Sequence, residues 1–159
     1  MRYLFSVLLI MVFSSISFSA TVNEIENILM NHQEKGYSFV KKLGDSSWKV
    51  NFSTTEWSMD VYVYVSPNKN NPDFDIVYVY TGIATYSDKE LSSKLDDLVY
   101  ALEKNAAPSE WGTFSLYKEK DVWYLDYNVK LRRVYVNEDL LMNAIGWVAG
   151  AGSSYKKQF

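Results

Sequence analysis

The 159 residues contain no cysteine, one histidine and three prolines. Without Cys, disulfides, a lipidated N-terminal thiol and thiol catalysis are all excluded. One His without Cys also excludes zinc sites of the ordinary kind, which take three or four N, S or O ligands. Basic charge is not in excess either, with 16 Lys and Arg against 19 Asp and Glu and a formal net charge of −3. No basic stripe is present to displace counterions, which argues against nonspecific nucleic-acid binding. Lys41-Lys42, Arg132-Arg133 and Lys156-Lys157 read as solvated pairs. Internal repeats, a long linker and a second domain are all missing from the pattern.

What is present begins with a leader. Arg2 supplies a positive n-region, residues 4–13 are almost uniformly apolar, and Ser17-Phe18-Ser19 offers small residues where a signal peptidase reads. The expected division is a signal peptide at 1–19 and a single domain at 20–159, with cleavage before Ala20 or, less favourably, after it. The apolar run is too short, and its far flank too polar, for a stable membrane span. A periplasmic or secreted location follows as the expectation. A Cys-free exported domain of this size must be stabilised by its core alone.

The remaining pattern reads as an α+β domain in the order α-β-β-β-α-β-β-α, an antiparallel five-stranded sheet with helices mainly on one face. Thr21 and Glu24 form a capping box, and Val22, Ile25, Ile28, Leu29 and His32 follow at helical spacing up to a stop at Gly36. Residues 48–52 and 59–65 alternate as strands, a polar loop spans 66–73, and 74–80 returns as a third strand. Ser87 and Glu90 form a second capping box, which predicts one helix carrying Leu91, Leu95, Leu98, Val99 and Leu102 and ending by Ala106, before Pro108. Leu95 and Leu98 are expected against the valine face of the sheet. Residues 112–117 and 122–131 form a hairpin. Asn137 then caps a last helix buried through Leu140, Leu141, Ala144, Ile145 and Val148, with Gly150 and Gly152 fraying its end and a mobile tail beyond.

Candidate catalytic groups are sparse. His32 falls on the apolar side of a helix with no Gly-x-Ser-x-Gly elbow anywhere in the chain, and reads as a packing or helix-end residue. Asp96-Asp97, Glu103, Glu110 and Glu119 are carboxylates without a fixed mutual separation, and neighbours on a helix point in different directions. Asn68, Asn70, Asn71, Asp73 and Asp75 offer oxygen ligands, yet the EF-hand spacing, its Gly and its terminal Glu are missing, so a polar loop accounts for them. No cofactor, metal or enzymatic activity is expected.

The 13 tyrosines carry more information. If Val61, Val63, Val65, Val77 and Val79 face the helices, Tyr62, Tyr64, Tyr78 and Tyr80 lie on the opposite sheet face, together with Phe74 and Ile76. In the hairpin, Phe114, Leu116, Trp123, Leu125 and Val129 fall inside, and Tyr117 and Tyr124 outside. Six tyrosines on one face form a candidate binding surface, because Tyr joins a large apolar body to a polar tip. Tyr is equally a good strand former able to face water.

The element order, the segment Trp111-Gly112-Thr113-Phe114-Ser115-Leu116, the helix ending in Asn105 and the run Val136-Asn137-Glu138-Asp139-Leu140-Leu141 resemble the YbjN family of bacterial sensory-transduction regulators, within the type III secretion chaperone-like fold. The better-known members are cytosolic, whereas this chain carries an export signal. The resemblance implies a non-enzymatic module that binds a polypeptide partner or a second copy of itself, with no catalytic residues to carry over. The alternative is a small-ligand or glycan binder stacking sugar rings on Trp57, Tyr62, Tyr64 and Tyr80.

Overall fold

The computed structural model describes residues 20–34, 38–105 and 111–159. The leader, the Gly36 stop, the helix end at residues 106–108 and Glu110 lie outside the described residues.

Helix α1 (Val22–Glu34) opens on the capping box, with the Glu24 amide donating to the Thr21 hydroxyl and the Thr21 amide to the Glu24 carboxylate. A sheet then forms from β1 (Ser38–Gly44), β2 (Ser47–Ser53), β3 (Ser58–Ser66) and β4 (Ile76–Ser87) as a meander. The chain passes through α2 (Asp88–Leu91) and α3 (Leu95–Asn105) to the far edge, β5 (Thr113–Glu119), and returns as β6 (Val122–Arg132) between β5 and β4. The order is β1-β2-β3-β4-β6-β5, every neighbouring pair being antiparallel. Helix α4 (Glu138–Tyr155) closes the fold.

The sheet therefore has six strands, not five. The additional one, β1, is hidden in the sequence by Lys41-Lys42, which breaks the apolar alternation. Val40 pairs with Val50 on the buried face, and Lys42, in the same phase, reaches the Glu26 carboxylate of α1 at 2.7 Å. Lysines on an edge strand also discourage pairing with another chain. β4 is longer than its sequence suggests, because a bulge between Gly82 and Ala84 resets the register and lets the strand continue beside β6 to Ser87.

The alternation of β3 and β4 holds. Val63 pairs with Val79 and Val65 with Val77 on the buried face, while Tyr62 pairs with Tyr80 and Tyr64 with Tyr78 on the other. Helix α4 lies on the valines through Leu141, Ala144, Ile145, Val148 and Ala149, all fully buried. Its approach is close: a Cβ at Gly152 would stand 2.5 Å from Cγ2 of Thr81. The helix does not fray at its glycines. It runs to Tyr155, and Phe159 packs with its ring centroid 5.8 Å from that of Phe114.

The predicted middle helix is two. Its capping box builds only the four-residue α2, after which the Ser93 hydroxyl and amide both bond the Glu90 carbonyl and turn the chain. Leu95, Val99 and Leu102 of α3 are 61, 52 and 66% exposed, and Ala101 is its one buried residue. The place over the valines is taken by α4, so the expected burial of Leu95 fails and Leu98 is only partly covered. α3 instead guards the sheet edge, its Asn105 amide side chain bonding both the N–H and the C=O of Phe114.

The contacts of the helices lie on one side of the sheet. α1 contributes Ile25 and Leu29 to the core, and Asp88 of α2 bonds Lys118 and Trp123, which share the phase of Leu125. The polar loop is held by Arg133, whose Nε lies 3.0 Å from Asp75 Oδ2 while Nη1 donates to the Ala20 carbonyl at 2.9 Å. Asp75 is thus half of an ion pair, and Asn68 Oδ1 accepts the amides of Asn70 and Asn71.

Candidate functional site on the tyrosine face

With the helices on the valine side, the other face of the sheet is dressed by its own side chains. The six predicted tyrosines form three cross-strand pairs. Tyr62 and Tyr80 stack at 5.3 Å between ring centroids, Tyr117 and Tyr124 at 5.4 Å, and Tyr64 and Tyr78 lie tilted at 6.4 Å. Such pairs support the sheet beyond the area they bury. Tyr64, Tyr78, Tyr80 and Tyr117 also wall a concavity of about 380 Å³, with Tyr62 backing Tyr80 and Tyr124 backing Tyr117. Ile76 shares this face, half-buried, whereas Phe74 falls in a 3-10 turn (Pro72–Phe74) under the Arg132 guanidinium.

The floor of the concavity is Asp126, only 6% exposed. It sits on β6 opposite Gly82 of β4 and Ser115 of β5. Both neighbours are small, and a Cβ on Gly82 would come within 3.8 Å of Asp126 Oδ1, so the missing side chain leaves the carboxylate room on that side. Burial pushes the Asp126 carboxyl up from its ordinary 3.8 to about 6, and the nearby Tyr117 hydroxyl offsets only part of this. Burial and the Asp126 charge together hold the Tyr117 hydroxyl well above its ordinary 10, and raise Tyr80 as well.

Two more β6 residues complete the lining. Asn128 is spent on structure, its Nδ2 donating to the Thr113 carbonyl at 3.0 Å and to the Ser115 hydroxyl at 2.8 Å. Lys130 places its ammonium over the Tyr78 ring, 5.6 Å from the centroid. Beside Tyr62 on β2 and β3, Lys49 pairs with Asp60 at 2.7 Å, and Asn51 donates to the same carboxylate. Asp126, Asn128 and Lys130 continue the phase of Tyr124 along one strand. That period of two was the available signal, and attention to tyrosine alone passes over it.

The other candidates do not converge here. Trp57 stacks on Phe52 at 5.9 Å, and Phe52 follows the buried phase of Trp48 and Val50. The four-ring sugar platform of Trp57, Tyr62, Tyr64 and Tyr80 is therefore not assembled. Phe52 instead lines a wider cavity of about 760 Å³ on the helix side, with Trp111, Met142, Trp147 and His32. His32 Nε2 lies 3.0 Å from Glu138 Oε1 at the start of α4, a helix-end role. Asp97 pairs with Lys94 at 3.2 Å, and among the described residues no three His, Asp or Glu side chains gather as a metal site. No helix among them is long and apolar enough to cross a membrane.

No protein-family model matches the chain, and no curated protein matches it.

Proposed function

We propose that this protein is an exported, non-enzymatic binding module that holds a polypeptide, a partner protein or a second copy of itself, against the tyrosine face of its sheet. The observation that carries the reading is the contrast between the two faces. One is buried under α4, while the other exposes three tyrosine pairs around a concavity with a carboxylate at its floor. Tyrosine clusters of this kind suit protein recognition, giving large contact area at low conformational cost. A YbjN-like, type III secretion chaperone-like architecture would agree with such a role, although the element order it is read from gains β1 and a second middle helix. The sugar-stacking alternative has less support, because Trp57 stacks on Phe52.

Replacing Tyr62 and Tyr80 together with Ser should leave the circular dichroism spectrum intact and weaken self-association or partner capture, read by sedimentation and by pull-down with the parent chain in parallel. A folded double variant that keeps both properties would sink the proposal. Export rests on the leader alone, and predicts a mature N-terminus at Ala20 or Thr21. Intact mass from a native host decides it, and recovery of the uncleaved chain counts against it.

A further inference from the structure

We propose that the concavity around Asp126 receives the ammonium or guanidinium group of a lysine or arginine side chain on the bound polypeptide. This rests on the reading of the tyrosine face as a polypeptide-binding surface, and names the chemistry that surface selects.

Three observations support it. Asp126 is nine-tenths buried, its hydrogen-bond partner is the neutral Tyr117 hydroxyl, and among the described residues it forms no ion pair. A buried carboxylate is normally paired, because an isolated charge is costly to remove from water. Tyr64, Tyr78, Tyr80 and Tyr117 surround it, and tyrosine rings present their negative faces to cations. Lys130 already makes that contact with Tyr78 on the same wall. Gly82 leaves the carboxylate approachable from the β4 side. A hard metal ion fits less well, since calcium takes at least six oxygen ligands and magnesium a near-ideal octahedron. Here one carboxylate stands among a few hydroxyls. A long flexible side chain can enter between the rings while its backbone lies along the flanking tyrosine pairs.

The charged and titratable groups that face Asp126 are Tyr64 from β3, Tyr78 and Tyr80 from β4, Tyr117 from β5 and Lys130 from β6, with Glu119 acting on Tyr117 from beyond the concavity. Lys130 opposes a second cation, but its ammonium is committed to the Tyr78 ring. Of these groups, Asp126 is the one poised to change charge near pH 6. Binding should therefore weaken as acidification through that value neutralises the floor of the site.

The test is a titration of the isotope-labelled protein with blocked Gly-Gly-Lys-Gly-Gly and its norleucine counterpart, read at the amide signals of Gly82, Ser115 and Asp126. The lysine peptide should shift these signals at millimolar concentration, the norleucine peptide should not, and Asp126→Asn should abolish the response. Equal shifts from both peptides, or none from the lysine peptide, overturn the proposal. So does methylammonium matching the peptide, which would mark a site for free amines. These outcomes are separable from failure of the wider reading. Should the peptide bind while the Tyr62 and Tyr80 double variant keeps all partner capture, the pocket stands and the partner docks elsewhere. Should the peptide fail while that variant loses capture, only the cation site falls.

Discussion

Asp126 occupies a position where burial works against its charge. Its folded value near 6 lies above the ordinary 3.8, so between the two the folded chain holds the proton more tightly than the unfolded one. The contribution of this group to stability is thus full at low pH and lost as pH rises through about 6. Asp126→Asn, neutral throughout, should be more stable than the parent at about pH 8 and lose that advantage by about pH 4. Urea midpoints of both proteins at the two pH values measure this. Comparing the pair removes the opposite trend from Asp60, Asp88 and Glu90, whose lowered values make stability fall on acidification. An advantage for the variant that grows towards low pH would contradict the account. A carboxylate buried against its own charge fits a binding role, since functional sites are where local rules are broken.

At the scale of elements, α4 takes the buried role its sequence suggests and α3 does not. Leu141→Ala on α4 removes a fully buried side chain and should cost ~2–5 kcal/mol. Leu102→Ala on α3, from a side chain 66% exposed, should stay within about 0.5 kcal/mol. Equal losses in denaturant melts would place both helices on the core. The reason α3 misleads is local. Its leucines keep a helical period, but period reports amphipathicity and not which surface the helix meets, and the Ser92-Ser93 break rotates it away from the sheet. The strands were more legible, because Val61, Val63, Val65, Val77 and Val79 alternate without interruption and one phase must be buried. β1 is hard to read because Lys42 occupies a helix-side position, its charge met by Glu26 of α1, a partner no local pattern reveals. All six tyrosines were visible from the strand phase. The gathering of four of them around Asp126 depends on β6 inserting beside β4, a long-range pairing that spacing along the chain does not encode.

For the molecule as a whole, the central claim is that its two sheet faces divide the labour, one holding the fold together and the other holding a polypeptide. The exposed stripe of Leu95, Val99 and Leu102 on α3 is the rival surface, since it too presents apolar side chains to water. Site-specific photocrosslinking in the native host separates them directly. A photoreactive phenylalanine derivative in place of Tyr64 should yield a discrete protein adduct, whether with a partner or with a second copy of this chain, and the same probe at Leu102 should yield none. Adducts from Leu102 with none from Tyr64 would contradict the account and move the binding surface to α3.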